Sequence, residues 1–217
     1  MPPILPDHAR DWPLWARSLH ALIRGYCRGF HWLRGDRSTV PDSGAAILVA
    51  NHHSGPDPLF LVATNRRLVS FMIASEYYRA GALRWVYERA GCVPVDRVRP
   101  TVSALRGMLD RLEAGRVVGM FPEGGIHPPE QRPRAKPGAA LLALETGAPV
   151  IPARLSGVRQ LPGSDLWTFL RPRRVRLHYG PPVPLEDLRA RYSGEGDRRV
   201  LKESADRILE AVYALPG

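Results

Sequence analysis

Lysine is almost absent from this chain: of its 31 basic residues only Lys136 and Lys202 are lysines, and the rest are arginine. Such a preference follows from genome composition as readily as from function. Cysteine is equally scarce. Cys27 and Cys92 form neither a disulfide framework nor a metal-ligand spacing, which excludes a stapled scaffold and fits a reducing compartment. No apolar run approaches the ~20 residues that a bilayer-spanning helix needs. Met1 to Arg10 carries three prolines, Asp7 and His8, and lacks the basic and apolar regions of a signal peptide. These absences predict a chain that stays on the cytoplasmic side. The G-K-[ST] phosphate loop is missing, which argues against a nucleotide hydrolase. A His-Glu-x-x-His pair is missing too, so His52, His53, Asp57, Glu123 and His127 are not read as a metal site, and no cofactor is expected.

What is present is 217 residues at 44% hydrophobic content, enough for one domain with a sizeable core. The formal charge of +10 calls for an anionic partner, whether nucleic acid, an anionic bilayer or an acidic carrier protein. No uninterrupted basic tract or nucleic-acid motif occurs, so nucleic acid is not the expected partner.

Trp12, Trp15, Leu19, Leu22, Ile23, Tyr26, Phe30 and Leu33 recur at spacings of three and four, one face of an amphipathic helix. Arg10, Arg17, Arg24, Arg28 and Arg34 lie mostly off that face. A basic helix with tryptophan on its apolar side suits an interfacial anchor, and it equally suits a helix packed on the domain's own core. Beyond it, short apolar runs alternate with longer amphipathic ones. Val69 to Ala74, Cys92 to Val95, Val117 to Phe121, Val150 to Leu155 and Val175 to Tyr179 read as strands. Glu76 to Ala90, Pro100 to Ala114, Ala139 to Thr146 and Arg198 to Leu215 read as helices, with Gly115 and Gly147 at C-caps. This rhythm predicts a single α/β domain: a mainly parallel sheet flanked by helices, preceded by the N-terminal amphipathic helix. Residues 1–36 would form the helical segment, 44–157 the motif-bearing core, and 158–217 a C-terminal strand and helices.

Chemistry concentrates where strands end. Ala45 to Ala50 reads as a buried strand running into Asn51-His52-His53-Ser54-Gly55-Pro56-Asp57. A histidine paired with a carboxylate is held in one tautomer and can take a proton from an alcohol near neutral pH. No neighbouring Ser or Cys is needed as a covalent nucleophile, which suggests direct transfer of a group to a hydroxyl. A second strand, Arg116 to Phe121, runs into Pro122-Glu123-Gly124-Gly125, and two more junctions follow Gly91-Cys92-Val93-Pro94-Val95-Asp96-Arg97 and Gly147 to Pro152. In open α/β sheets that edge is where sites are built. If the segment is helical from Pro56, His53 could instead pair with Asp57 as an i, i+4 neighbour.

These blocks, in this order, resemble the glycerolipid acyltransferase family of the 1-acyl-glycerol-3-phosphate acyltransferase type, and Lys136-Pro137-Gly138 resembles that family's Lys-x-Gly. The resemblance extends to about Gly157. It implies that His52 deprotonates the acceptor hydroxyl, that Asp57 orients and charge-stabilises it, that Glu123 and Gly124 position the acceptor, and that Arg97 faces a phosphate, with Lys136 a further basic contact. It also implies acyl-CoA or acyl carrier protein as donor, a lyso-lipid acceptor, an anionic membrane surface as partner, and a place at the inner face of the cell membrane. His52-His53-x-x-x-Asp57 is also similar to the H-H-x-x-x-D-G motif of condensation-type acyltransferases, whose second histidine is the base. Those enzymes are far longer, and Pro58 stands where their glycine belongs, so His52 is the expected base.

The chain departs from the family where Gly125-Ile126-His127 replaces the usual Thr-Arg-Ser. A guanidinium binds phosphate in a bidentate way that glycine and isoleucine do not replace. Acyl transfer is therefore better supported than a phosphate-bearing acceptor, and another lyso-lipid, such as an aminolipid, stays open. The loop from Gly124 to Gly138 could form a wall of the acceptor site, with His127, Arg132, Arg134 and Lys136 available to an anion. Arg171-Pro172-Arg173-Arg174 reads as a solvated turn. A non-catalytic lipid-binding module would keep the basic helix but would have no use for a His–Asp pair at a strand end.

Overall fold

The apolar runs at the centre of the sheet become strands buried on both faces, the condition that yields near-continuous Val, Ile and Leu in a parallel sheet. In the computed structural model, which describes residues 3–79, 83–96, 102–128, 131, 133–158 and 165–217, seven strands form one sheet. They are β1 (Arg34–Gly35), β2 (Ala46–Ala50), β3 (Val69–Ala74), β4 (Val93–Val95), β5 (Val117–Met120), β6 (Val150–Ser156) and β7 (Arg176–Tyr179). The order is β1-β7-β6-β2-β5-β3-β4, and only the β6–β7 pairing is antiparallel. Central β2 is buried at every residue and pairs in parallel with β5 on one side and β6 on the other.

Helices cover both faces, as parallel crossovers require. They are α1 (Leu14–Gly25), α2 (Asp57–Thr64), α3 (Ser75–Tyr78), α4 (Leu83–Arg89), α5 (Val102–Glu113), α6 (Gly138–Thr146), α7 (Asp165–Leu170), α8 (Glu186–Arg191) and α9 (Arg198–Ala214). One core layer packs Leu48, Ala50 and Ile151 against Phe60 and Leu61 of α2 and Cys27. The other packs Ile47, Val49 and Val118 against α5, α6 and α9. Gly115 and Gly147, expected at helix ends, take left-handed φ values of 71° and 66°. The helix expected over Glu76 to Ala90 is seen as α3 and α4 on either side of residues 80–82.

The N-terminal helix is present, extended by a π-helical turn at Tyr26–Phe30, and its tryptophans face the protein. Trp12 is buried with Leu5, Ala16 and Leu68, and its indole N–H donates to the Pro6 carbonyl at 2.7 Å. Trp15 stacks on Trp85 of α4 at 4.4 Å, and Arg89 lies over both rings at 5.7 Å. Of the two readings of this helix, packing on the domain's own core holds for both tryptophans, and the large apolar side chains left to solvent are Leu14, Leu22 and Phe30. Among the described residues no helix is long and apolar enough to cross a membrane.

Candidate active site

The carboxyl edges of β2 and β5 lie side by side, so the two motif loops that follow them meet. Asp57 opens α2 and is fully buried, a position that demands compensation for a carboxylate. Four donors supply it. The backbone N–H groups of His53 and Ser54 donate to Oδ2 at 2.7 and 2.8 Å, and the Ser54 hydroxyl donates to Oδ1. The fourth is Nδ1 of His52, 3.0 Å from Oδ2. The Asp57 N–H donates back to the Ser54 carbonyl at 3.2 Å, so the turn before α2 closes on this carboxylate and fixes it before the histidine is considered. With Nδ1–H donated to Asp57, the imidazole of His52 keeps Nε2 as its basic nitrogen.

The ring of His52 is held flat as well. It stacks on Phe121 with centroids 4.0 Å apart and planes 13° apart, and Phe121 stacks in turn on Phe71 of β3 at 6.0 Å. Gly119 makes this stack possible, because a Cβ there would stand 2.1 Å from the Phe71 ring. Asn51 locks the strand end from the other side. Its side-chain amide donates to the Leu155 carbonyl at 2.8 Å and accepts the Leu155 N–H at 2.7 Å, continuing the β2–β6 ladder by one step.

His53 points elsewhere. It is 5% exposed, and its Nδ1 donates to the His127 carbonyl at 2.8 Å, while the His127 N–H donates to the His52 carbonyl at 2.9 Å. These two bonds clamp the loop after β5 onto the loop after β2. The pairing of the His53 ring with Asp57 that an i, i+4 spacing allows does not form, because the His127 carbonyl holds the ring and Asp57 takes only the His53 backbone N–H.

Glu123 is 1% exposed, and the Tyr213 hydroxyl of α9 donates to its Oε1 at 2.8 Å. Among the described residues no hydrogen bond reaches Oε2; His127 Nδ1 lies 3.4 Å away but donates to the Gly125 carbonyl at 2.9 Å. Burial pushes the Glu123 carboxyl above its ordinary value, with Tyr213, His53 and His127 opposing the rise. Gly124 adopts φ +75°, and a Cβ there would meet the Lys136 side chain at 2.7 Å, so the expected lysine lies directly across this turn. The Lys136 N–H donates to the Pro122 carbonyl at 2.7 Å, which ties the far end of the loop back to its start.

The structure therefore brings together His52, Asp57, Glu123, Gly124 and Lys136. Arg97 lies outside the described residues, as does Arg132 of the loop. Among the described residues, no group of three or more His, Cys, Asp or Glu side chains is placed to hold a metal ion. The segment read as a solvated turn has Arg171, Pro172 and Arg174 exposed, and only Arg173 is half-buried. Burial and the neighbouring Arg171 lower the pKa of its guanidinium, and the Asp57 and Tyr26 charges oppose that fall. Phe169, four residues earlier, covers Gly55: a Cβ there would be 3.4 Å from its ring. Tyr213 and the Phe71–Phe121 stack went unread in the sequence. Asn51 and Ser54, by contrast, stood inside the motif without an assigned role.

The model of the family described as Acyltransferase matches residues 35–156. The chain is 29% identical over 145 residues to the 1-acyl-sn-glycerol-3-phosphate acyltransferase of Streptococcus pneumoniae, covering 66% of this chain and 52% of that protein. It is 25% identical over 153 residues to the protein of the same name from Bacillus subtilis, covering 70% and 73%. The chain spans about half of the streptococcal protein and 39% of the chloroplastic 1-acyl-sn-glycerol-3-phosphate acyltransferase LPAT1 of Arabidopsis thaliana. The crystal structure of the 1-acyl-sn-glycerophosphate acyltransferase PlsC from Thermotoga maritima superposes with a TM-score of 0.66 at 26% identity, covering 94% of this chain and 83% of that one. The matched segment runs from β1 to the last residue of β6 and contains both clamped motif loops, and on that match the chain belongs to the acyltransferase family.

Proposed function

We propose that this protein moves an acyl group from a thioester to the hydroxyl of a lyso-lipid of the 1-acyl-glycerol-3-phosphate type, with His52 as general base. The observation that carries the reading is the bond from His52 Nδ1 to a carboxylate already saturated by three other donors. In the reaction, Nε2 of His52 removes the acceptor's hydroxyl proton as its oxygen attacks the thioester carbonyl. The tetrahedral intermediate then collapses, the C–S bond breaks, and the thiolate takes the proton back from the imidazolium. Asp57 stabilises the transient cation and holds its tautomer, a role worth about 10²- to 10⁴-fold in rate for a well-placed general base. Glu123 Oε2, buried beside this pair, accepts a hydrogen bond from the acceptor, and Lys136 offers its ammonium to an anionic head group.

Access from a membrane is supported by six of the exposed apolar residues. Tyr77, Leu83, Trp85, Val102, Trp167 and Leu170 belong to segments that follow β3, β4 and β6 in sequence, strands whose carboxyl ends share the edge of His52 and Glu123, while Leu14, Leu22, Phe30 and Trp32 are exposed elsewhere in the chain. A peripheral enzyme with this edge against the bilayer receives its acceptor without leaving the surface. The test is transfer of labelled acyl groups from acyl-CoA and from acyl carrier protein to lyso-lipids with phosphate, choline and amine head groups. Transfer to the phosphate-bearing acceptor is the expected result. Transfer only to an aminolipid would move the acceptor assignment to the open alternative, and no transfer to any acceptor would overturn the proposal.

A further inference from the structure

A concavity lies away from His52, along the flank where α1, β1 and the far end of α2 meet, with a volume of about 870 Å³. Six arginines line it, five of them reaching solvent: Arg24 and Arg28 at the end of the first helical segment, Arg34 and Arg37 around β1, and Arg66 after α2. All five are exposed, and among the described residues none forms an ion pair with a carboxylate. The two acidic side chains in the wall do not neutralise them, since Asp36 holds His178 at 3.0 Å and Asp42 is the sole remaining carboxylate. Clustered like charges destabilise a fold unless an anion screens them.

The groove is also preformed. Its sixth arginine, Arg67, is 4% exposed and fixed by bonds to Asp7, the Pro41 carbonyl and the Gly115 carbonyl at 2.7, 2.8 and 2.8 Å. Ser38 donates to Asn65 at 2.6 Å, and Asn65 is held by the Leu61 carbonyl at 2.7 Å. Five unpaired guanidinium groups thus line one concavity beside this fixed floor. That number of cations suits several phosphates on one small molecule better than a single one. A concavity of this size is typical of ligand sites, whereas an acidic protein partner would call for a flatter basic surface. Helix α2 links groove to site: Asp57 starts it, Thr64 at its other end lines the groove, and eight residues of helix span about 12 Å.

We infer that this groove binds the multiply phosphorylated nucleotide end of a coenzyme A thioester, so that its flexible arm can carry the acyl carbonyl towards His52. The inference rests on the proposed thioester-dependent transfer, and it names the donor. The experiment measures binding of coenzyme A and of 3′,5′-ADP to the whole chain, to Arg28→Glu/Arg37→Glu, to the milder Arg24→Gln/Arg34→Gln, and to His52→Ala, with melting curves for each. Expected are saturable binding to the parent protein, a roughly ten- to hundredfold loss in both arginine variants at unchanged melting temperature, and full retention in His52→Ala. Equal affinity in parent and arginine variants would overturn the inference, as would equal competition by inorganic phosphate or by phosphatidylglycerol vesicles. Failure of the reading beneath it would look different, because coenzyme A would bind while no acyl group moved from any donor.

Discussion

Asp57 has no hydrogen-bonding capacity to spare: two backbone N–H groups, a hydroxyl and an imidazole all donate to it. Glu123 is the opposite case, a buried carboxylate with one oxygen left over. That difference makes Glu123 the group whose charge varies with conditions. Its pKa is raised by burial, so the folded chain holds its proton more tightly than the unfolded chain does. Between the ordinary glutamate value and the raised one, the unfolded state binds fewer protons, and stability falls as pH rises through that window. Glu123→Gln removes the titration. We predict that the variant loses less melting temperature than the parent between about pH 4 and pH 8, measured by calorimetry. A parallel loss in both proteins would count against the assignment.

At the scale of elements, α9 is the unexpected contributor. Its Tyr213 hydroxyl reaches Glu123, and Arg154 of β6 fastens the helix end, lying 5.3 Å from the Tyr213 ring and donating to the carbonyls of Tyr213 and Leu215. Tyr213→Phe leaves Oε1 of Glu123 buried without that donor, so it should cost about 1–3 kcal/mol of stability. It should also push the Glu123 carboxyl further up, moving the acid limb of the acceptor KM to higher pH while kcat at neutral pH changes little. A pH-independent loss of kcat alone would refute the positioning role. None of this was legible in the sequence, where α9 reads only as an amphipathic helix and Tyr213 as one more apolar residue. By contrast, β3 was bounded correctly and β2, β5 and β6 to within a residue, because strands buried on both faces leave unbroken apolar runs. The pairing of His52 with Asp57 was also readable, since a local motif carries its own geometry. What failed to show were contacts set by tertiary packing: the Phe71–Phe121–His52 stack and the clamp through His53 and His127. The first helix misleads in the same way, because tryptophans on an apolar stripe look alike whether lipid or Leu68 covers them.

For the whole molecule, the sheet's carboxyl edge carries the motif loops, the segments that follow its strands leave apolar side chains exposed, and the arginine groove runs along the flank. Those exposed side chains lead to a different membrane prediction from the helix pattern. Trp167, 63% exposed, and Leu83, 55% exposed, should contribute to bilayer contact, and Trp12, at 8%, should not. In cosedimentation with anionic liposomes, Trp167→Ala/Leu83→Ala should weaken binding about tenfold or more with the melting temperature preserved. Trp12→Ala should instead lose about 3–5 kcal/mol of stability, as large-to-small changes in a core do. Unchanged liposome binding in the double variant would remove this edge as the contact face.

The central claim is that Nε2 of His52 is the base and that His53 is the clamp. Single-turnover acyl transfer with the parent, His52→Ala and His53→Ala, each matched for folding by its melting curve, tests it most directly. The account predicts a loss of about 10²- to 10⁴-fold in His52→Ala and a much smaller loss in His53→Ala. Transfer that survives in His52→Ala and disappears in His53→Ala would contradict it.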